Sequence, residues 1–352
     1  MHLSDVGYSP ELQKQFELYQ MDQLLVPARI AAEHRGSLAA ITETGEITAI
    51  VTGKMRFDAL GRDELPAVGD WVAVELIAPD QGVIRAVLPR RSALVRKVAG
   101  LESEGQAIAA NVDLVLVAAA LDDRPNLRRI ERYLTVAWDS GAVPIVVLTK
   151  ADLCDDVEAA IDEVMAVALG VDVIAVSNTT GEGIDEVAAR LGPETTGAIL
   201  GPSGVGKSSL VNALTDSQIM TVQAIRWDGK GRHTTTHREL IALPSGGCLI
   251  DTPGMRELQL WDSDGLDSTF SDIAELAAEC RFRDCTHSHE PGCAVRAAAE
   301  DGSLDAGRLT SYRKQERELA AMAARKDKRL AIEARKRWKQ LGKEGKARAR
   351  MR

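Results

Sequence analysis

The chain has 352 residues, 45% hydrophobic and only 4% aromatic, with a formal net charge of -9. That length allows two or three domains, each with its own core, and excludes a small stapled module. No apolar run approaches the roughly 20 residues that span a bilayer, and Met1-His-Leu-Ser-Asp5 does not begin a secretory signal, so the expectation is a cytoplasmic protein with no membrane partner. The charge is unevenly placed. Residues 308–352 carry 17 Lys and Arg against 5 Asp and Glu, a basic arm of +12 on an acidic body of -21. Such an arm suits phosphate backbones through counterion release, and equally suits a solvated, salt-laced helix.

Ser9-Pro-Glu-Leu-Gln-Lys-Gln-Phe-Glu-Leu18 opens with a capping serine, a proline fit for the first turn and an early acid, which predicts a helix in an N-terminal extension, residues 1–35. Over residues 36–100 short alternating segments replace it: Leu38–Thr42, Glu46–Val51, Val68–Val74 and Gly82–Val87. Four or five short strands in so little chain predict a small barrel of the OB type. Phe57 and Trp71 are its only aromatics, and Trp71 reads as core because it sits in an alternating strand. Contact with nucleic acid would therefore fall to Lys54, Arg56, Arg85, Arg90, Arg91, Arg96 and Lys97.

Residues 101–262 have the texture of an α/β domain. Val112–Ala118 is a continuous apolar strand, residues 126–140 are helical in pattern, and Pro144–Leu148 is a second buried strand ending at Thr149, Lys150, Ala151 and Asp152. A helix over 156–169, a strand over Val171–Val176 and a turn beginning Ser177-Asn178 follow. Next comes the stretch around which the chain is organised: Gly201, Pro202, Ser203, Gly204, Val205, Gly206, Lys207, Ser208 and Ser209, a match to G-x-x-x-x-G-K-[ST]. Its glycines let successive N–H groups turn toward a phosphate, the lysine reaches the β- and γ-oxygens, and Ser208 offers a hydroxyl to Mg²⁺. A strand runs in and a helix runs out, so the ligand would sit on a helix N-terminus.

The flanking motifs resemble those of small GTPases. Thr149-Lys150-Ala151-Asp152 is similar to N-K-x-D, in which the aspartate accepts from guanine N1–H and the exocyclic amine; adenine lacks that donor pair. Thr149 stands where asparagine is usual and cannot supply its two-ended amide. Ser177-Asn178 occupies the place of the Ser-Ala pair whose backbone N–H meets guanine O6, and Asp251-Thr-Pro-Gly254 resembles the D-x-x-G element that serves Mg²⁺ and the γ-phosphate. Gly231–His237 lies where switch I belongs, with Thr235 or Thr236 to ligate Mg²⁺. Here the base motifs precede the phosphate loop, which implies a circularly permuted domain.

Cys280-Arg-Phe-Arg-Asp-Cys285-Thr-His287-Ser-His289-Glu-Pro-Gly-Cys293 follows, whereas Cys154 and Cys248 stand alone. Three thiolates and one imidazole, from His287 or His289, make a closed structural zinc site. The permuted order, the barrel before it and the Cys/His cluster after it resemble the ribosome small-subunit-dependent GTPase A family over residues 36–300. The resemblance favours His287 as the fourth zinc ligand. It implies a multidomain α/β protein: an N-terminal OB-type β-barrel (36–100), a central circularly permuted P-loop GTPase domain (101–262), a C-terminal helical zinc-binding domain (263–307) and a basic helical tail (308–352). It further implies that the chain binds GTP and GDP with magnesium, hydrolyses GTP when stimulated by the small ribosomal subunit, and acts in late assembly of that subunit through rRNA contacts, with a monomer as the default. Lys207, Ser208, Thr235, Thr236, Asp251 and Gly254 would carry the chemistry. Met255 stands where small GTPases place a water-positioning glutamine, so His233 in switch I is the substitute to test. The alternative is a GTP-gated RNA-binding checkpoint protein in which hydrolysis is incidental.

Overall fold

The computed structural model describes residues 3–19, 24–59, 61–97, 105–216, 238–251 and 264–324. A short turn of helix at Leu3–Val6 leads to α1 (Pro10–Glu17), where Ser9 Oγ accepts from the Leu12 amide at 3.3 Å and Leu12 and Phe16 turn inward. Next come β1 (Leu25–Glu33), β2 (Leu38–Thr42), β3 (Gly45–Val51), α2 (Gly53–Asp58), β4 (Trp71–Ala78) and β5 (Gln81–Val87). The strands run β1-β2-β3-β5-β4, with β3 and β5 parallel, and β4 returns to pair with β1, so five strands close a barrel. Ala28, Ile30, Ala40, Ile47, Val72, Val74 and Ile84 fill it.

The strand pattern in the sequence begins at Leu38, and the structure adds β1 upstream of it. Pro27 and the buried Arg29 break the β-branched alternation that marks a strand. Trp71 is core at 2% exposure, with Tyr8 and the Arg29 guanidinium each 5.1 Å from its ring. Arg90, expected among the nucleic-acid contacts, is instead a structural cation. It holds the buried Asp70 carboxylate at 2.7 and 2.8 Å and also donates to the Leu65 carbonyl at 2.8 Å. Arg85 pairs with Glu75 and Arg91 with Asp113, while Lys54 and Arg56 stand exposed on α2.

A two-stranded ribbon, β6 (Ala93–Lys97) and β7 (Gly105–Ala110), leads to the α/β unit. Its elements are β8 (Leu114–Ala120), α3 (Leu127–Asp139), β9 (Val143–Thr149), α4 (Val157–Met165), β10 (Val173–Ala175), α5 (Ile184–Arg190), β11 (Thr196–Leu200), α6 (Lys207–Asp216), β12 (Glu239–Ala242) and β13 (Cys248–Asp251). The strand order is β10-β9-β8-β11-β13-β12, parallel except for β12. Strands covered on both faces read as unbroken apolar runs, which is why β8, β9 and β11 are so legible. β12 also pairs with β1, so the barrel and the α/β sheet continue into one another as eleven strands. At that seam Arg29 donates to the Val6 carbonyl and, at 2.7 Å, to Thr196 Oγ1, which ties the N-terminal segment, the barrel and β11 together.

Beyond the sheet, α7 (Asp264–Thr269), α8 (Ser271–Ala278), α9 (Ala294–Asp301) and a helix over residues 306–324 pack around Phe270, Ile273 and Val295. α7 lies hard against α3. The Gly265 amide donates to Asp139 Oδ1 at 2.8 Å, and a Cβ at Gly265 would stand 2.3 Å from the Thr135 carbonyl oxygen. Among the described residues no helix is long and apolar enough to cross a membrane.

Candidate nucleotide site and metal centre

Because β8, β9, β10 and β11 are parallel, their C-terminal ends share one edge of the sheet, the edge where open α/β sheets bind ligands. The loop Gly201–Gly206 leaves the central strand β11 and enters α6 at Lys207. Gly204 and Gly206 hold φ of 83° and 91°, left-handed values that glycine adopts without strain, and a Cβ on Gly201 would stand 2.7 Å from the Ala118 carbonyl oxygen. Val205 is buried and anchors the loop; Ser203, Gly204, Ser208 and Ser209 are exposed at the helix start and Pro202 is half-buried. Lys207 Nζ donates to the carbonyls of Gly201 and Pro202 at 2.8 and 2.7 Å. Burial pushes the Lys207 amine below its ordinary value, against the pull of the Asp251 carboxylate. Asp251 at the end of β13 shows the converse: burial pushes its carboxyl up and Lys207 opposes the shift. Lys207 and Asp251 thus lie within electrostatic reach of each other at a loop whose glycines turn the backbone, an arrangement for polyphosphate and its cation.

Thr149, fully buried at the end of β9, donates its hydroxyl to the Val205 carbonyl at 2.6 Å, with the Ala119 carbonyl 3.3 Å away. One side chain therefore ties the first base motif to the phosphate loop. Lys150 has a left-handed φ of 59° and forms an ion pair with Asp122, just beyond β8. That hydrogen bond from Lys150 holds the Asp122 carboxyl below its ordinary range. The Ala151 amide donates to the Val176 carbonyl at 3.1 Å, which brings in the second base motif. Asp152 Oδ1 accepts from Ser177 Oγ at 2.6 Å, and Ser177 Oγ accepts in turn from the amides of Thr179 and Thr180 at 3.2 and 3.1 Å. Asn178 reaches back toward the phosphate loop: a Cβ on Gly206 would lie 3.5 Å from Asn178 Nδ2 and 3.7 Å from Thr149 Oγ1.

Residues from three separate stretches, 149–152, 177–178 and 201–209, are thus brought together. Asp251 joins them from β13. His233, Thr235, Thr236 and Gly254 lie outside the described residues. Asp122 is the contact that the sequence reading lacks; its signal is an acid immediately after the apolar strand that neighbours β9.

The second cluster lies between α8 and α9. The sulfurs of Cys280, Cys285 and Cys293 and a ring nitrogen of His287 all lie within 4.8 Å of one another. His287 Nδ1 is 3.6 Å from Cys280 Sγ and 3.5 Å from Cys293 Sγ, and the two sulfurs are 3.9 Å apart. His287 is buried, whereas His289 is exposed and outside the cluster. Glu290 pins the intervening loop, accepting from the amides of Thr286, Ser288 and His289 at 3.1, 2.9 and 3.0 Å. Three sulfurs and one imidazole converging on one point form a site for a soft or borderline metal ion, the wrong donors for magnesium or calcium.

A family model described as RsgA GTPase matches residues 87–261, and one described as 50S ribosome-binding GTPase matches residues 196–333. The small ribosomal subunit biogenesis GTPase RsgA of Opitutus terrae is 47% identical over 363 residues, covering 100% of this chain and 99% of its own. The protein of the same name from Streptomyces avermitilis is 47% identical over 346 residues, 97% of this chain and 92% of its own. Among solved structures, YjeQ from Thermotoga maritima superposes with a TM-score of 0.64 at 28% identity, covering 84% of this chain and 99% of that one. YloQ, described as a circularly permuted GTPase, superposes at 0.61 with 26% identity, over 86% and 97%. With identity near one half from end to end, and base motifs that precede a phosphate loop on the central strand, this chain belongs to the RsgA GTPase family.

Proposed function

We propose that this chain hydrolyses GTP to GDP and phosphate in a reaction stimulated by the small ribosomal subunit, and that it acts in the late assembly of that subunit. One observation carries the reading: the Thr149–Asp152 and Ser177-Asn178 stretches converge on Val205 and Gly206 of the phosphate loop at one sheet edge, in a chain whose full-length relatives are named small ribosomal subunit biogenesis GTPases. Asp152 and Lys150 take the guanine. The backbone N–H of Asn178 meets its O6, and the amides of 201–209 with Lys207 hold the phosphates. Mg²⁺, when bound with the nucleotide, supplies positive charge at the β- and γ-phosphates, and Ser208 and Asp251, with Thr235 or Thr236, are the residues that would hold it. His233 orders the attacking water in place of the glutamine that Met255 displaces, and Gly254 senses the γ-phosphate.

Zinc is the ion assigned to Cys280, Cys285, His287 and Cys293. Sulfur ligands 2.3 Å from a tetrahedral centre stand about 3.8 Å apart, close to the 3.9 Å between Cys280 and Cys293. All four positions are protein ligands, so zinc would cross-link α8 to α9 without binding water. The division into extension, barrel, GTPase domain (101–262), zinc domain (263–307) and basic tail (308–352), with the barrel's start moved from residue 36 back to β1 at Leu25, assigns rRNA contact to the barrel, the zinc domain and the tail. The protein works as a cytoplasmic monomer.

GTP hydrolysis by the purified protein, alone and with small or large ribosomal subunits, and with ATP as control, tests the reading. Slow GTP turnover raised only by small subunits is expected. Stimulation by large subunits alone, the partner suggested by the description of the second family model, would overturn the assignment of partner.

A further inference from the structure

We propose that the side-chain carboxamide of Asn178, distinct from its backbone N–H, is the donor that reads N7 of the guanine base. The inference rests on the guanine reading above and names how the 6-oxo, N7 edge of the purine is recognised.

On that edge guanine presents two acceptors, O6 and N7. The Asn178 backbone amide serves O6, which leaves N7. Thr149 is the first place to look for its partner, because an asparagine there would carry an amide with two donors. A threonine hydroxyl has one proton, and Thr149 places it on the Val205 carbonyl at 2.6 Å. Thr149 therefore fastens the loop and has nothing left for the base.

Asn178 supplies what that substitution removes. Its carboxamide and the Thr149 hydroxyl lie on the same side of the phosphate loop, 3.5 and 3.7 Å from the position a Cβ would take on Gly206. Asn178 Oδ1 is buried and has no hydrogen-bond partner among the described residues. A buried amide end left without a partner costs free energy unless something else satisfies it. The donor end, Nδ2, which faces Gly206, likewise gives its N–H groups to nothing among the described residues, so it is open to an acceptor on the ligand. A base lying between Asp152 and Gly206 brings N7 to that group. The two-ended amide of N-K-x-D is here divided between two residues: Thr149 ties down the loop and Asn178 donates to the base.

The experiment compares the affinities of the full chain for GDP, 7-deaza-GDP and ADP by equilibrium titration, in wild type, Asn178→Ala and Thr149→Val. 7-Deaza-GDP keeps O6, N1–H and the exocyclic amine and lacks only the N7 acceptor. Wild type is expected to bind it about tenfold more weakly than GDP. Asn178→Ala should lose about tenfold for GDP and nothing further for 7-deaza-GDP, so that it no longer distinguishes the two. Thr149→Val should keep the distinction even if it weakens both. The proposal is overturned if wild type does not discriminate, if Asn178→Ala still does, or if Thr149→Val loses the discrimination. ADP bound as tightly as GDP by wild type would instead bring down the guanine reading, a separate outcome.

Discussion

Arg308 is the perturbation with the clearest expected magnitude. A guanidinium has five N–H donors, and all five are used here: Nε and Nη2 on the two Asp272 oxygens at 2.8 Å, Nη2 also on the Thr269 carbonyl at 2.8 Å, and Nη1 on Glu131 Oε1 at 3.1 Å and the Val167 carbonyl at 3.2 Å. The group also stacks over Phe270 at 4.8 Å. It joins α3 and the loop after α4, in the α/β unit, to α7 and α8 in the metal-binding unit. Arg308→Met keeps the volume and takes from Glu131, a carboxylate that is 0% exposed, one of its two arginine partners, leaving Arg128 alone on it. Breaking one partner of a buried pair costs about 3–5 kcal/mol. Because the chain has more than one unit, local opening is the better readout than a single melting curve. Hydrogen exchange at the α3 and α7 amides should lose about 150- to 4,000-fold of its protection. Arg308→Lys should recover little, since one ammonium cannot serve four groups spread over three helices and a loop.

The pH dependence has a definite sign. Burial raises the Glu131 carboxyl above its ordinary value despite Arg128 and Arg308 beside it. A raised folded-state value contributes stability that is fully present below the unfolded pKa and is lost as pH rises through the folded one. Removing Arg308 takes away a cation that favours the ionised form, so that folded value climbs further. The deficit of Arg308→Met should be largest above the raised Glu131 value, where the carboxylate is ionised, and shrink as pH falls through it. Protection within threefold of wild type, or a deficit that does not change with pH, would refute this account of the buried network.

Asp152→Ala should leave phosphate contacts intact and remove guanine selectivity, a loss of at least a hundredfold in the GDP-to-ADP affinity ratio, because the base donors then have no acceptor; titration with both nucleotides checks it. Replacing Cys285 by serine, or stripping the ion with a chelator, should release one metal per chain by elemental analysis. The same treatment should loosen residues 264–324 in limited proteolysis while leaving nucleotide affinity within about threefold, because, among the described residues, the four ligand side chains bond to none of those of the phosphate loop or the base motifs.

The phosphate loop, the base motifs and the Cys/His cluster are legible in the sequence because their chemistry demands particular residues at fixed spacing. Gly206 must take a left-handed φ, Lys207 must follow it, and Cys280 and Cys293 must reach one point. The α/β strands are legible for a different reason, since burial on both faces leaves unbroken apolar runs such as Leu114–Ala120. β1 is not, because Pro27 and Arg29 interrupt its pattern and its pairing with β4 and β12 is decided by residues 40 to 200 positions away. Arg308 looks like one more cation of a basic tail until the fold sets it against Glu131, 177 positions earlier. Arg90 reads as a surface charge until Asp70 is found buried beneath it. Charge counts locate such residues and only tertiary contact separates a solvated cation from a structural one.

Circular permutation changes what each end of the nucleotide domain is joined to. In this order β13, whose last residue Asp251 lies within electrostatic reach of Lys207, leads through residues 252–263 directly into α7. α7 in turn rests on α3 so closely that Gly265 admits no Cβ, and the Arg308 network fixes the same two units a few residues away. α3 follows the loop that carries Asp122, the partner of Lys150 in the base motif. The metal-binding helices are therefore attached to the nucleotide site twice, by the chain that continues from the phosphate end and by the helix that continues from the base end. A switch at either end of the nucleotide would therefore act on α7–α9 through an attachment already in place, α3 on one side and the chain beyond Asp251 on the other.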